Sequence, residues 1–357
     1  MEEKKFKILS IDGGGIRGVF PAKFLAEMEA KLKEEGKDPR LCNHYDMICG
    51  TSTGGIIALA LANGIPAQDI VDLYINNRWK IFPKIPLGLF NLKAGILTKK
   101  YYRFGLESLI KEKFKTTDKT KDLRINDLKT RVCVTGYDLL TARPKVFKTP
   151  HHPQLFNDKH LHVYQVALAT SAAPTYFNPY SSTYSKIDST ATEHFNLKLD
   201  GGVFANNPTL IGILEANRGL EIPLESLEVL SIGTGTKEYQ ESKSRILFGL
   251  FAKPFGKLYW INKVRILELV MQAQSQHVDD LVNIMHAGIG SEKKEIFKYE
   301  RIQIKLNNTL DVSLDTVSKD KLNKLSELAK QEFQKNGSRI IKTLTACGRW
   351  GGYPSNI

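Results

Sequence analysis

The chain has 357 residues, 42% hydrophobic and 25% charged, which is the composition of a folded globular protein long enough to bury a large core. A formal charge of +13 predicts an anionic partner, and no apolar run approaches the roughly 18 residues that a membrane-spanning helix needs. Four cysteines (Cys42, Cys49, Cys133, Cys347) at irregular spacing make neither a zinc pattern nor a disulfide framework, so buried free thiols and no metal are expected.

The N-terminus passes from Met-Glu-Glu-Lys-Lys directly into a strand-like run, Phe6–Ile11, without the apolar core of a signal peptide; a cytoplasmic protein is expected. Val19–Lys33 follows with apolar residues at helical spacing. Between them "DGGGIRG" (Asp12–Gly18) has G-x-G-x-x-G spacing at Gly13, Gly15 and Gly18, and a strand, glycine turn and helix aim backbone N–H groups at an anion. A dinucleotide loop would also need an acidic residue closing the second strand, but Asp38 precedes that strand and is followed by Pro39. A nucleotide-binding module using Gly13–Gly18 is one reading of this loop, and a different anion is the other.

The next strand, Tyr45–Gly50, runs into Gly50-Thr51-Ser52-Thr53-Gly54, a G-x-S-x-G turn, and a helix from Gly55 to Asn63, with Gly64 and Pro66 as its stop. Small residues at Gly50 and Gly54 suit a nucleophile elbow, because a strained strand-to-helix turn clashes with larger side chains. Ser52 is therefore the leading nucleophile; the plainer reading is a serine that caps the helix. Arg78 to Arg124 then carries thirteen Lys or Arg against four acids. Inside it, "WKIFPKIPLGLF" (Trp79–Phe90) interleaves Trp79, Ile81 and Phe82 with Lys80 and Lys84, and its prolines forbid a regular helix. Ser242–Leu267 has six basic residues, no acid and several aromatics. Both stretches read either as a lipid-facing surface or as core with lysines reaching outward.

Further strands are expected at Arg131–Tyr137, Leu197–Asp200 and Leu227–Ile232, and helices at Tyr102–Phe114, Val163–Thr170 and Pro208–Arg218, the last capped by Asn207. Alternation of this kind predicts a mostly parallel sheet covered on both faces, in one continuous domain. A helix over Lys319–Lys335, with Gly337 just beyond, is expected to pack on it. A serine needs a base. His151, His152, His160 and His162 read as a solvated loop cluster, and His277 and His286 belong to a helical stretch without a catalytic context. Asp200-Gly201-Gly202 instead puts a carboxylate at the end of a strand, where parallel α/β proteins collect active sites, although an Asp-Gly turn reads the same.

In this order "DGGGIRG", "GTSTGG" (Gly50–Gly55) and "DGG" (Asp200–Gly202), with "ATSAAPTYFNP" (Ala169–Pro179), resemble the patatin-like phospholipases, from about Phe6 to Gly235. The resemblance implies a three-layer α/β fold with a core over 6–235 and an extension over 236–357 packing on the same domain. It also implies lipid acyl hydrolysis by a Ser–Asp dyad without histidine or cofactor. Ser52 would attack an ester carbonyl, Asp200 would accept its proton, and N–H groups around Gly13, Gly14 and Gly15 would form the oxyanion hole, with Arg17 holding the loop or stabilising charge. A general small-ester hydrolase is the rival within this chemistry. The opening "ILSIDGGGIRGVFPAKFLAEME" (Ile8–Glu29) is similar to bacterial patatin-like effectors of antiphage signalling, which implies a cyclic dinucleotide activator. The expected partners are that activator and a phospholipid membrane surface reached peripherally, with a homo-oligomer left open and no nucleic-acid polymer.

Overall fold

The continuous apolar runs at the start of the chain form strands buried on both faces, as a covered parallel sheet requires. β1 (Lys4–Ile11) is buried from Phe6 onward and leads into α1 (Val19–Glu34); β2 (Met47–Gly50) is buried throughout and leads into α2 (Thr53–Ala62). The computed structural model describes residues 4–83, 100–116, 118–152, 157–187, 189–237, 265–287, 295–306 and 310–350. Next come α3 (Ala67–Asn76), α4 (Arg78–Ile81), α5 (Phe104–Lys113), β3 (Arg131–Asp138), β4 (Arg143–Lys148) and α6 (Val163–Thr170). β5 (Tyr180–Ser185), β6 (Thr192–Asp200), α7 (Thr209–Leu214) and β7 (Leu227–Ile232) complete the first 235 residues. Beyond them lie β8 (Thr236–Lys237), α8 (Arg265–Ala287), β9 (Lys298–Ile302), β10 (Lys305–Leu306), α9 (Lys319–Ala346) and β11 (Gly348–Arg349).

The main sheet runs β5-β6-β3-β2-β1-β7-β9, parallel from β3 to β9, with β6 antiparallel on β3 and β5 antiparallel on β6. α1, α2, α3, α6 and α9 bury one face in a large apolar cluster, and α7 and α8 cover the other around Phe6, Ile8, Met47 and Cys49. The expected three-layer α/β fold is the one observed. β4, β5 and β9 were not expected. β5 (YSSTYS) and β9 (KYERI) are short and polar, so no alternation marks them.

Four readings of the sequence need correction. β6 is not a strand of the parallel set. It runs antiparallel into the sheet along the end of β3, at Gly136–Asp138, where β2 has already stopped opposite Val134. Secondly, α9 does not stop before Gly337. It continues to Ala346, burying Ile340, Ile341 and Leu344, and Gly337 is kept small by the Phe333 ring, which an added Cβ would meet at 2.5 Å. Residues past 235 do more than pack on a finished core, because β9 is a strand of the central sheet beside β7. Finally, the histidines are half-buried, not a fully solvated cluster. The His151 ring bonds Thr149 Oγ1 at 2.8 Å and Glu215 at 3.1 Å, and the His160 ring accepts from the Ile187 N–H at 3.0 Å.

In the basic stretch after α3, Ile81 and Phe82 are only 3% and 7% exposed, and Phe82 packs against Tyr101 and Phe177 with ring centroids 5.3 and 6.2 Å away. Phe82 therefore belongs to the interior and is not part of an outer surface that could meet a bilayer. Trp79 is partly open at 37%; residues 84–90, and 242–264 of the second basic stretch, lie outside the described residues. The cysteines are free, and Cys42, Cys49 and Cys133 are buried while Cys347 is half-buried.

Candidate active site

The turn between β2 and α2 holds Ser52 at φ 55° and ψ −122°, a left-handed backbone that a non-glycine residue adopts only under constraint from its surroundings. Its neighbours supply that constraint. The Ser52 N–H donates to Thr170 Oγ1 at 2.9 Å, and Thr51 Oγ1 donates to the Ala205 carbonyl at 2.7 Å. Gly50 and Gly54 let the chain fold back on itself: a Cβ on Gly50 would lie 2.2 Å from the Gly54 carbonyl oxygen, and one on Gly54 would lie 2.2 Å from that of Ile11.

Because β6 takes over the edge of β3 at the level where β2 has turned away, Asp200 pairs with Gly136 and points its carboxylate at the elbow. Ser52 Oγ donates to Asp200 Oδ2 at 2.6 Å, and the Gly202 N–H donates to Oδ1 at 2.7 Å. Asp200 is 2% exposed. Burial, which disfavours the charged form, pushes its carboxyl up to about 7, and the bonds from Ser52 and Gly202 pull against that rise. A carboxylate so shifted holds or releases a proton near neutral pH, as a general base must.

The Gly13–Gly15 loop closes over the same point, for a Cβ on Gly13 would meet the Ser52 Cβ at 3.3 Å. The Gly13 N–H is already donated to the Asn206 carbonyl at 3.0 Å, and that of Ile16 to the Leu314 carbonyl at 2.8 Å. The N–H groups of Gly14 and Gly15 have no acceptor among the described residues. The Gly13 N–H, expected from sequence among the oxyanion donors, is thus engaged by a carbonyl in this structure. Arg17 holds the loop through its N–H on the Gly14 carbonyl at 3.1 Å; its buried guanidinium lies 4.0 Å from Glu268 on α8. A narrow cleft opens at Ser52 and Asp200, with walls that include Ile56, Tyr74, Phe82, Leu106, Phe177 and Met271. Apolar walls ending at a serine–carboxylate pair suit a hydrocarbon chain with a reactive carbonyl at its head. Among the described residues no histidine bonds to Ser52 or Asp200; His286 on α8 bonds the Phe297 carbonyl instead.

Residues 9–213 match the family model described as patatin-like phospholipase. The chain belongs to the patatin-like phospholipases. It is similar to a cGAMP-activated phospholipase of Escherichia coli, 32% identical over 93% of this chain and 89% of that protein. A cGAMP-activated phospholipase of Vibrio cholerae is 31% identical over 94% and 93%, and patatin-like protein 2 of Oryza sativa is 30% identical over 94% and 86%. This patatin-like phospholipase is therefore an ester hydrolase that acts on lipid. Among its described residues no helix is long and apolar enough to cross a membrane.

Sequence reasoning did not find Thr170, Asn206 or Leu314, which hold the elbow and the glycine loop from distant segments. Thr170 was within reach, lying in the "ATSAAPTYFNP" segment; Leu314 carried no signal because it contributes only a backbone carbonyl. The close approach at the elbow is testable. Gly50→Ala forces a methyl into backbone that cannot move aside, and is expected to cut ester hydrolysis at least tenfold and lower the melting temperature by about 5 °C. Unchanged activity and thermal unfolding would show that the turn tolerates a Cβ.

Proposed function

We propose that this patatin-like phospholipase cleaves fatty-acyl ester bonds of membrane phospholipids through a Ser52–Asp200 dyad, and that a cyclic dinucleotide switches it on. The observation that carries the reading is the 2.6 Å hydrogen bond from Ser52 Oγ to Asp200 Oδ2 at the mouth of an apolar cleft. Asp200 takes the Ser52 proton as Oγ attacks the ester carbonyl, and the tetrahedral oxyanion forms against the free N–H groups of Gly14 and Gly15. Collapse expels the lysolipid oxygen, which leaves with the proton from Asp200. A water then gives its proton to Asp200 and attacks the acyl-Ser52 carbonyl; collapse breaks the acyl–Oγ bond, releases the fatty acid and returns the proton from Asp200 to Ser52 Oγ. Each oxyanion donor is worth about 3–4 kcal/mol of transition-state stabilisation.

Two relatives at similar length carry cGAMP activation in their names, and a net charge of +13 suits both a dinucleotide phosphate and an anionic bilayer. A hydrolase acting on its own cell's membrane also needs a gate. The test is hydrolysis of vesicles of defined phospholipids, with product positions resolved, with and without a panel of cyclic dinucleotides that includes cGAMP. Lysolipid and free fatty acid are expected, rising at least tenfold with one dinucleotide, and hydrolysis is expected to fall as salt screens the anionic surface. Release of short-chain acids from soluble esters with intact vesicle lipids would favour a general esterase; activity indifferent to every dinucleotide would remove the proposed switch.

A further inference from the structure

The glycine loop is held in place from beyond residue 235. Asp12, the residue directly before it, is 1% exposed and receives a two-pronged ion pair from Arg301 on β9: Nη1 donates to Oδ1 at 2.8 Å and Nη2 to Oδ2 at 2.5 Å. Nη1 also donates to Ser231 Oγ at 2.7 Å. The strand register explains the reach. Arg301 lies opposite Ser231 on β7, and Ser231 lies opposite Ser10 on β1, so the guanidinium crosses β7 at the level where β1 ends and the loop begins. The Ser275 hydroxyl of α8 bonds Asp12 as well and accepts from Asn206 Nδ2 at 2.8 Å. Thr234 Oγ1 fixes the Gly13 carbonyl at 2.7 Å.

A planar guanidinium on both oxygens of a carboxylate sets orientation as well as distance, which one lysine ammonium does not. A buried ion pair adds little net stability over an apolar pair of the same shape, whereas its geometry is specific. The pair stands one residue from the loop whose Gly14 and Gly15 N–H groups have no acceptor among the described residues, and Ser52 lies under that loop. An N–H contributes to acyl transfer only when it meets the tetrahedral oxygen at hydrogen-bond distance, and a displacement of about 1 Å can cost about 100-fold in rate.

We propose that Arg301 is a positioning residue for acyl transfer: by clamping Asp12 it aims the Gly14 and Gly15 N–H groups at the oxyanion formed on Ser52. The inference rests on the ester-hydrolase reading of the Ser52–Asp200 pair. It makes β9, far outside the glycine and serine motifs, a requirement for chemistry and not only for the sheet. The loss on breaking the clamp should therefore fall on turnover, with substrate affinity, set by the cleft walls, left nearly unchanged.

The experiment uses the full chain and a soluble p-nitrophenyl butyrate substrate, with and without cGAMP, on Arg301→Met, Arg301→Lys and Asp12→Asn, with Ser52→Ala as the blank. Arg301→Met is expected to lose about 100-fold in kcat with KM within threefold, and to slow phosphonylation of Ser52 by a fluorophosphonate in parallel. Arg301→Lys should recover part of both rates, because an ammonium restores the charge without the fork. A folded Arg301→Met that keeps kcat within threefold, or that changes KM alone, overturns the proposal. If Arg301→Met does not fold, Asp12→Asn is read in the same way, and a folded Asp12→Asn with undiminished kcat overturns it. Wild-type protein that neither hydrolyses the ester nor reacts with the fluorophosphonate would sink the ester-hydrolase reading itself; equal activity in wild type and Arg301→Met would sink the clamp alone.

Discussion

Asp200→Asn is expected to lose at least 1,000-fold in kcat on a phospholipid or a short-chain ester while keeping its fold, and Ser52→Ala is expected to fall to the blank. Asparagine occupies the same space beside Ser52 Oγ but has no basic oxygen to take its proton, so attack on the ester loses its base. The losses should not add in the double variant, because the proposed dyad would act as one unit. His277→Gln and His286→Gln, both on α8, should retain most activity, since neither ring bonds the pair. Steady-state kinetics with thermal unfolding on each variant checks the set. A histidine variant that folds and is inactive would restore a conventional triad; an active Asp200→Asn would move the base elsewhere.

The same carboxyl gives the pH profile a definite sign. Asp200 must be ionised to accept a proton, and burial pushes it up to about 7, so kcat/KM is expected to rise with pH, reach half its maximum near pH 7 and level off above. Stability should run the other way. Between the ordinary value of 3.8 and about 7 the folded protein keeps this proton while the unfolded chain has released it, so folding weakens as pH rises through that window. About three units at 1.36 kcal/mol each bound the loss at roughly 4 kcal/mol. Asp200→Asn carries no charge and escapes it, so at pH 8 the inactive variant should melt several degrees above wild type, and near pH 4 the two should coincide. Glu29, also raised to about 7 by burial, weakens both proteins alike and cancels in the difference. An activity profile flat from pH 5 to 9, or a melting difference independent of pH, would show that Asp200 ionises at ordinary carboxylate values in the folded protein.

Both effects originate in burial, which marks the division between what could be read from the chain and what could not. The strands β1, β2, β3 and β7 and the helices α1, α2 and α6 are legible because their apolar periodicity is local. Ser52 is legible for the same reason, since a G-x-S-x-G turn is specified by five adjacent residues. The sequence by itself determined the elbow, the glycine loop and the alternation that demands a covered sheet. It also named Asp200 through its motif, though as the end of a parallel strand.

Tertiary structure alone decided how these parts meet. The 148-residue separation of Ser52 and Asp200 is closed by an antiparallel β6 running along the end of β3, and strand direction is set by pairing partners, not by the pattern within the strand. The hydrogen bond that engages the Gly13 N–H, the support from Leu314 and the Arg301–Asp12 pair all come from segments that no local motif contains. The shift of Asp200 is likewise a property of everything packed around it: a carboxylate in water and one with 2% exposure have the same letter in the sequence, and only the fold sets their solvation.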